Sequence, residues 1–362
     1  MKVIRTILFV INAILALGLV LTTLAGVVAP SRTILPSLLA FAYGPMLVAN
    51  LVMIVLWLLL RRWELLLSVA AIGARWVMVP LLIQAGGTSK VPPLEEHPYR
   101  VTVMTYNIHQ FKGNGIDTVK ADSIARCFVG LIRNEAPDVL CLQEYAAVRG
   151  VNVTDSLTTM GYNHYFGART SKAGLPYGTV LFSRFPITYV KKLDAEKVLV
   201  ELMCEGQRLR VVCLHMDSYR FDDGDLEAME RMRHGEVQDD ERRTIGKIKE
   251  TILSHEDEWN RTVSPVVGES TVPTVLAGDL NDIPTSWLHH QISKHMTDTY
   301  TEQGSGLSTT YRLRDTGTPI SAMSFRIDAV FRSEGLRTLS YKRIKTRLSD
   351  HYPLLVSLEF EI

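Results

Sequence analysis

The sequence has few cysteines, and none of them is spaced to bind a metal. Its four cysteines are Cys127, Cys141, Cys204 and Cys213, and no two of them form a Cys-x-x-Cys pair. This spacing argues against a structural zinc site. Cys141 and Cys213 lie inside apolar, strand-like runs, where a cysteine commonly serves as a small core residue. These two cysteines are therefore predicted to be buried, and cysteine usage does not identify the redox compartment.

Acidic residues are almost absent from the first 90 residues, and long stretches there carry no charge at all. Residues 6–31 and 33–60 are uncharged, and each run exceeds the roughly 20 apolar residues that cross a bilayer. A third apolar stretch, 65–84, is interrupted by Arg75, which costs roughly 2.5–3.5 kcal/mol at mid-membrane. The sequence predicts a membrane anchor over residues 1–90 with three transmembrane helices, at about 6–28, 36–60 and 65–84. A cleaved signal peptide is the alternative interpretation of the first run.

Basic residues flank these apolar runs unevenly. Lys2 and Arg5 precede the first run, and Arg61 and Arg62 lie between the second and the third. The positive-inside tendency places both groups in the cytoplasm. Three spans then predict a multi-pass protein of the plasma (inner) membrane, with the rest of the chain on the outer, periplasmic side. A re-entrant third segment would invert this sidedness.

The remainder of the chain lacks an excess of basic residues. The whole chain has 39 Lys and Arg against 38 Asp and Glu, and the first 90 residues hold seven and one of these. The rest therefore has 32 basic and 37 acidic residues, a net charge of −5. Sequence-independent binding to nucleic acid needs a basic surface. This composition weakens a nuclease interpretation but leaves it as an alternative.

Beyond a short Gly- and Pro-containing linker, residues 98–362 have the composition and patterning of a soluble α/β domain. Alternating or apolar runs predict strands near 99–106, 137–142, 179–182 and 209–214, and helical spacing predicts a helix over 122–134. A charged insertion at about 221–243 is predicted to be a solvated, mobile surface segment, with a lid over the site or a membrane-proximal contact as the functional alternative. An amphipathic helix is expected directly after it, over 244–255.

Polar residues stand beside apolar runs at six places along this domain. One is Gly278-Asp279-Leu280-Asn281, which follows a buried-strand pattern, and the others are Asn107, Glu144, His215, Asp328 and the pair Asp350-His351. Each has an ordinary explanation when it is taken alone, such as a turn cap, a surface loop or a satisfied core histidine. At a common sheet edge they would supply carboxylates for a hard divalent ion, imidazoles for proton transfer and amides for oxyanions. Oxygen donors of this kind favour Mg²⁺ or Mn²⁺ over Zn²⁺ and suit metal-assisted attack of water on phosphorus.

The ordered set of these motifs resembles the endonuclease/exonuclease/phosphatase superfamily, as a membrane-anchored, bacterial-type member. The resemblance covers about residues 100–362 and is carried by Thr-Tyr-Asn, Gln-Glu, Leu-His-Met-Asp, Gly-Asp-Leu-Asn, Arg-Ile-Asp and Ser-Asp-His-Tyr-Pro. It implies an α+β fold, a four-layer αββα sandwich in which two packed mixed sheets are flanked by helices. The site would lie at one shared edge of the two sheets. The three predicted transmembrane helices would precede this domain.

The resemblance also implies a set of acid, base and phosphate-binding residues. Asp279 would orient or deprotonate the attacking water, and Asn281 would bind a non-bridging phosphate oxygen. His351, held by Asp328, would stabilise charge on the phosphoryl group. His215 would contact phosphate or protonate the leaving oxygen. A neighbouring carboxylate favours the cationic form of an imidazole, which suits a dianionic transition state.

A metal site is implied in the same way. Asn107 and Glu144 would hold Mg²⁺ or Mn²⁺, with Asp350 helping at the metal or at its water. In one block, Thr179 stands where many relatives carry Asn. Tyr177 therefore becomes the candidate phosphate contact in this part of the chain.

These features predict a membrane-tethered, divalent-metal-dependent hydrolase of phosphoester bonds. The expected substrate of this phosphodiesterase or phosphatase is a lipid head group or another small phosphoester, because tethering raises the effective concentration near lipid. A tethered endonuclease or exonuclease is the alternative, and a non-catalytic membrane binding protein is a third possibility. The expected partners are the membrane, through the N-terminal helices, and the phosphoester; no obligate protein partner is evident. The Phe325-Arg326-Ile327-Asp328 block differs from that of inositol-polyphosphate phosphatases.

Overall fold

The computed structural model describes residues 2–113, 120–172, 174–233, 239–268, 271–312 and 324–361. The chain forms two compact units. The first unit is Met1–Ile83 with Asp282–Lys294, and the second is Gln84–Asn281 with His295–Ile362. The predicted boundaries of an anchor (1–90) and a catalytic domain (98–362) stay predictions.

The described α-helices are α1 Lys2–Thr22, α2 Leu35–Ala40, α3 Tyr43–Leu59, α4 Leu65–Gly73, α5 Val79–Leu82, α6 Ala121–Glu135, α7 Val153–Thr159, α8 Asp223–Arg233, α9 Asp239–Glu258, α10 Ser264–Val267, α11 Trp287–Ser293 and α12 Thr299–Gln303. The described strands are β1 Ile83–Gln84, β2 Arg100–Asn107, β3 Val139–Tyr145, β4 His164–Thr170, β5 Pro176–Ser183, β6 Ile187–Lys192, β7 Lys197–Cys204, β8 Gln207–His215, β9 Thr274–Asp279, β10 Thr297–Asp298, β11 Gly306–Leu307, β12 Tyr311–Arg312, β13 Ser324–Phe325, β14 Asp328–Arg332, β15 Leu336–Arg343 and β16 Leu354–Phe360.

The first unit is helical, and its helices differ from the three predicted spans. In the described residues one helix, Lys2–Gly26, is long and apolar enough to cross a membrane. The second predicted span divides into α2 and α3, because Pro45 in the first turn of α3 has no N–H to continue a helix through this point. The third is bent by 62° between Leu65–Gly73 and Trp76–Leu82. The described helices therefore offer one span, or two if the bent pair counts as one, and the prediction of three is not supported.

The second unit is built on two six-stranded mixed sheets. One has the strand order β15-β16-β2-β3-β5-β4 and the other β10-β14-β9-β8-β7-β6. Each contains one parallel pair, β2 with β3 and β8 with β9, while its other pairs are antiparallel. The inner faces of both sheets share a hydrophobic core that includes Val103, Cys141, Val211 and Ala277. Two packed mixed sheets flanked by helices agree with the predicted α+β sandwich.

Helices cover the outer faces of the sheets. On α6, Ile124, Phe128 and Ile132 are buried at helical spacing and belong to a second core beneath the first sheet. The helix ends where Ala136 adopts a left-handed conformation just before Pro137, which cannot continue a helix. The predicted helix over 122–134 and the strands at 99–106, 137–142, 179–182 and 209–214 correspond to α6, β2, β3, β5 and β8.

From residue 223 the charged insertion is helical where it is described, and the expected solvation does not hold for Glu241, which is buried, while the expected mobility stays a prediction. It contains α8 and the start of α9, which also includes the amphipathic helix predicted over 244–255. Residues 234–238 lie outside the described residues. Asp225 and Glu241 are buried, and Asp225 accepts hydrogen bonds from Thr244 (2.8 Å) and Lys247 (2.5 Å). Pairing lets these carboxylates lie inside a packed helix pair, which the charge of the segment alone does not reveal.

Candidate active site

The strand register brings the predicted residues of the second sheet together. His215 ends β8 and Asp279 ends β9, and the two residues are paired across these parallel strands. Asp328 begins β14, which runs antiparallel to β9, and it pairs with Asp279 from the other side. The C-terminal ends of parallel strands lie at the same edge of a sheet. Three polar residues on three adjacent strands therefore lie side by side.

The carboxylate of Asp279 is the centre of this group, and it is 1% exposed. Its Oδ2 atom accepts a hydrogen bond from Nδ2 of Asn107 at 3.0 Å. The same oxygen lies 3.7 Å from Nε2 of His215 and 3.7 Å from Nε2 of His351. Its Oδ1 atom accepts the backbone N–H of Asn281 at 2.8 Å. Burial, followed by the nearby charge of Asp328, raises the pKa of Asp279, while the two imidazoles and Asn107 oppose that rise.

A buried carboxylate holds the second imidazole. Nδ1 of His351 lies 2.8 Å from Oδ2 of Asp328, and both residues are almost fully buried. Burial alone would lower the pKa of His351, but the carboxylates of Asp328 and Asp279 outweigh it and raise that pKa to about 10. The ring is therefore an imidazolium at neutral pH, with its Nε2–H directed toward Asp279.

His215 has a different environment. Its backbone N–H donates to the carbonyl of Glu196 at 3.0 Å, which fixes the end of β8. Within the described part of the chain, the buried Nε2 atom of His215 has no hydrogen-bond partner. A buried polar atom without a partner is costly, so a group that arrives at the site can satisfy it.

Oxygen donors gather at the ends of β2 and β3. Nδ2 of Asn107 lies 3.3 Å from Oε1 of Glu144, whose Oε2 accepts from Gln110 at 3.4 Å. Asp350 lies nearby, with its Oδ1 3.5 Å from Nδ1 of His109. Neither carboxylate forms an ion pair with Lys or Arg among the described residues. Two carboxylates and an amide oxygen suit a hard divalent cation, so Asn107, Glu144 and Asp350 fit the implied metal.

A tighter group of potential ligands has another explanation. Asp279, Asp328 and His351 bring ligand atoms within 4.8 Å of one another. Both nitrogens of His351 already face carboxylates, and the raised pKa of His351 keeps the ring protonated. A protonated imidazole cannot bind a cation. This group therefore fits a cation less well than the oxygens of Asn107, Glu144 and Asp350, whose role as metal ligands stays a prediction.

Left-handed backbone conformations concentrate around the same edge. Glu144 (φ 50°) and Asn281 (φ 48°) adopt them, as does the turn after Asn107, over residues 109–111. Such conformations cost of order 1 kcal/mol or more for a residue with a Cβ, and they persist where the surrounding structure demands them. The strained turn at Asn281 lets its side chain donate to the carbonyl of Met216 at 2.9 Å.

Tyr177 and Thr179 form contacts other than the predicted phosphate contact. The side chain of Tyr177 is exposed, and the guanidinium carbon of Arg169 lies 5.9 Å from the centre of the Tyr177 ring. In the described residues it makes no hydrogen bond or ring contact with Asp279 or the two histidines. Thr179 is fully buried and donates its hydroxyl to Glu196 at 3.2 Å. Thr179 therefore holds a structural hydrogen bond, and the proposed phosphate contact of Tyr177 stays a prediction.

Three residues near the cluster were missed by the sequence analysis, namely His109, Thr310 and Tyr311. The hydroxyl of Thr310 accepts the backbone N–H groups of Ile327 and Asp328, both at 3.0 Å. The ring of Tyr311 lies 4.7 Å from that of His351. The two-residue strand β12 has no apolar run around it, so no sequence pattern marked it. His109 follows Asn107 by two residues and could have been considered on that ground.

Comparison with known proteins is consistent with this geometry. The model of the endonuclease/exonuclease/phosphatase family matches residues 104–351, and that of a domain of unknown function (DUF8431) matches residues 5–81. A search of curated proteins found no match.

Several solved structures are also similar to this chain. One is an endonuclease/exonuclease/phosphatase from Beutenbergia cavernae, 20% identical over 72% of each chain, with a TM-score of 0.47. Another is the human Nocturnin catalytic domain with bound sulfate, 18% identical over 75% of this chain and 100% of that one, with a TM-score of 0.49. A third is truncated TDP2 from Caenorhabditis elegans, 15% identical over 73% and 99%, with a TM-score of 0.47.

Proposed function

The chain belongs to the endonuclease/exonuclease/phosphatase family, and we propose that it is a membrane-tethered hydrolase in which Asp279 directs water at the phosphorus of a lipid head group or small phosphoester. Phosphoester hydrolysis and dependence on a divalent metal are typical of the family. The substrate, the tether and the roles of individual residues are the proposal. Mg²⁺ or Mn²⁺ is the metal that the oxygen donors favour.

One observation carries this proposal. The buried Oδ2 atom of Asp279 lies within 3.7 Å of Asn107, His215 and His351. A general base must be held within hydrogen-bond reach of the water it activates, and a raised pKa brings it closer to the operating pH. Burial raises the pKa of Asp279 in this direction.

The other side chains supply the charge that the reaction requires. The His351 imidazolium, held by Asp328, would stabilise negative charge that develops on the phosphoryl oxygens. The unpaired Nε2 of His215 would donate to the leaving oxygen or to the phosphate. The second amide hydrogen of Asn281 would contact a non-bridging oxygen. When bound by Asn107, Glu144 and Asp350, a divalent metal polarises the phosphoryl group and lowers the pKa of water.

The polarity of the first unit supports the membrane tether. Asn12, Asn50 and Ser68 are 0% exposed and lie between α1, α3 and α4. The hydroxyl of Ser68 lies 2.6 Å from Oδ1 of Asn12 and 2.8 Å from Oδ1 of Asn50. In a soluble bundle the polar residues face the solvent, so a polar interior indicates that the surroundings are apolar.

The outer surface of the same unit is correspondingly apolar. Large side chains such as Val3, Ile14, Leu17, Val52 and Leu58 are more than half exposed. Apolar patches of this extent are uncommon on soluble monomers. This unit therefore suits a lipid bilayer, and tethering favours substrates at a membrane surface. The periplasmic location of the second unit stays a prediction, because it depends on the number of membrane crossings.

A tethered nuclease is the second candidate. Nucleases and phosphatases both belong to this family, so membership alone does not separate the two activities. The net charge of −5 outside the first 90 residues favours a small phosphoester over a polyanion.

The experiment uses the full chain in lipid nanodiscs with Mg²⁺ or Mn²⁺. Substrates are sphingomyelin and glycerophospholipid vesicles, inositol phosphates, plasmid and single-stranded DNA, and RNA. Asp279→Asn is the test variant, and Asp155→Asn, at an exposed carboxylate on α7, is the matched control. Asp279-dependent release of phosphate or a phosphorylated head group, with nucleic acid intact, supports the proposal. Plasmid nicking that Asp279→Asn abolishes would instead identify a tethered nuclease.

A further inference from the structure

We propose that Tyr311 is a further catalytic residue, whose phenolic hydroxyl donates a hydrogen bond to a non-bridging oxygen of the phosphoryl group. This inference rests on the proposed function, because it names an additional group at the same reaction centre. The residue belongs to the two-residue strand β12, outside every motif that carries the family resemblance.

The backbone fixes Tyr311 against the catalytic histidine. Tyr311 forms an antiparallel bridge with His351. On one side of it, the N–H of Arg312 donates to the carbonyl of Asp350 at 3.0 Å. On the other, the amide that follows His351 in the chain donates to the carbonyl of Thr310 at 2.7 Å. These contacts hold the residue on both sides, so its side chain is positioned as rigidly as the strands.

The same segment is tied to the carboxylate that holds the histidine. The hydroxyl of Thr310 accepts the backbone N–H of Asp328 at 3.0 Å. Asp328 in turn accepts from Nδ1 of His351. Thr310 therefore contacts the backbone of Asp328, and Tyr311 contacts the ring of His351, so the segment touches both members of the carboxylate–imidazole pair.

The ring of Tyr311 packs beside the imidazole and remains accessible. The two ring centres are 4.7 Å apart with an angle of 49° between the planes. Tyr311 is only half-buried, whereas Tyr106 on β2 is fully buried. A bound substrate can therefore contact part of Tyr311, and its position beside His351 places that contact at the reaction centre.

The charges around Tyr311 indicate which way its hydroxyl can act. Burial, and then the carboxylates of Asp350, Asp279 and Glu144, raise the pKa of Tyr311 well above its ordinary value. A phenol of ordinary pKa is already protonated at neutral pH, so the hydroxyl of Tyr311 can donate a hydrogen bond there. The backbone bridge to His351 and the ring contact with its imidazole place Tyr311 at the same edge as these carboxylates.

Phosphoryl transfer needs such donors. Negative charge spreads over the non-bridging oxygens, and preorganised donors in a water-poor site stabilise it. His351 and Asn281 account for two donors in the proposed mechanism. A neutral phenol beside them adds a third without adding a charge that would repel the metal.

A purely structural role is the competing explanation, in which the ring only supports His351. Tyr311→Phe separates the two, because it keeps the ring and removes the hydroxyl. We expect kcat of the full chain in nanodiscs to fall about 10- to 100-fold, with KM changed less than about 3-fold. Tyr189→Phe, at an exposed tyrosine on β6, is the matched control and should behave as the wild type.

A series of phosphoesters with different leaving groups locates the hydrogen bond. A loss in kcat that is equal across the series identifies a non-bridging oxygen as the acceptor. A loss that grows with the pKa of the leaving group would place the donor at the leaving oxygen and overturn this assignment. Wild-type kcat in Tyr311→Phe, or an effect confined to KM, would overturn the catalytic role altogether.

The outcome for Tyr311 is distinguishable from the outcome for the proposed function. Hydrolysis that Asp279→Asn abolishes establishes the function, whatever Tyr311→Phe does. A wild-type chain without activity on any phosphoester would remove both proposals. The thermal midpoint of Tyr311→Phe should match that of the wild type, which shows that the ring still packs.

Discussion

Nδ1 of His351 lies 2.8 Å from Oδ2 of Asp328, and this pair joins the loop before β16 to the first residue of β14. The two residues are separated by 22 intervening positions in the chain. The second oxygen of Asp328 has no partner among the described residues. The pairing keeps the imidazole cationic and aims its other nitrogen at Asp279. Asp328 therefore orients the imidazole, while the proposed function assigns the attacking water to Asp279.

Removing the charge of Asp328 should impair the chemical step rather than binding. In Asp328→Asn the imidazole loses its nearest carboxylate, so its charge and orientation are both weakened. We expect kcat to fall about 10²- to 10⁴-fold, the range found for positioned acid–base groups. Steady-state kinetics of the full chain measure this, beside the exposed Asp257→Asn as control. A kcat within 3-fold of the wild type would show that the pair is only structural.

Neutralising Glu144 should weaken metal binding. Glu144→Gln removes one of two carboxylates from the oxygen cluster, so the concentration of Mg²⁺ for half-maximal activity should rise at least about 10-fold. Calorimetric titration of Mg²⁺ into the full chain gives a second, activity-independent reading. Glu250→Gln, on an exposed face of α9, is the control. An unchanged Mg²⁺ affinity would place the metal elsewhere.

The polar interior of the first unit should stabilise its helices. Ser68→Ala deletes a hydroxyl that lies within hydrogen-bond distance of Oδ1 of both Asn12 and Asn50 and donates its one proton to one of them. Interhelical hydrogen bonds in membranes contribute about 0.6–2 kcal/mol each. The variant should therefore unfold at a lower temperature in detergent than the wild type, whereas Val52→Leu, on the exposed face of α3, should not. Equal midpoints for all three proteins would contradict a bundle held by this network.

The stability contributed by Asp225 should depend on pH. Burial alone would raise the pKa of Asp225, but hydrogen bonds from the N–H of Asp222 and from Lys247 and Thr244 lower it to about 2. A lowered folded-state pKa stabilises the protein above the unfolded pKa of about 4, and this contribution disappears as the pH falls to about 2.

We therefore expect Asp225→Asn to be about 1–2 kcal/mol less stable than the wild type at pH 7, after allowance for solvent screening. The difference should shrink steadily between about pH 4 and pH 2. Thermal midpoints across this range measure it, with the exposed Asp239→Asn as control for the same helix pair. If the difference in stability between Asp225→Asn and the wild type stayed constant with pH, the altered packing of the side chain, and not its lost charge, would explain the effect.

The sequence predicted the parts of the site that follow long apolar strands. Asn107, His215 and Asp279 each end a strand of six to nine residues, and such strands have a clear pattern. Their common location followed from the family resemblance, because no local rule states which strands become neighbours. The pairing of His215 with Asp279 depends on the β8–β9 register, which is a tertiary property.

The misses also have physical causes. Tyr311 lies on a two-residue strand whose partners are 12 or more residues away, and its partner His351 is 40 residues away, so a local window of sequence does not show its surroundings. The break between α2 and α3 was missed because Pro45 lies within an apolar run, where composition alone suggests a continuous span. In the charged insertion, Asp225 and Glu241 can be buried because each pairs with other side chains of the helix pair. The number of charges in this segment alone predicts a solvated segment instead.

The most direct test of the central claim is hydrolysis in ¹⁸O-labelled water by the full chain with Mg²⁺, beside Asp279→Asn. If Asp279 directs water at phosphorus, mass spectrometry should find one ¹⁸O atom in the phosphorylated product and none in the alcohol. The variant should form this product about 10²- to 10⁴-fold more slowly. Label in the alcohol, or an undiminished rate in Asp279→Asn, would contradict the account.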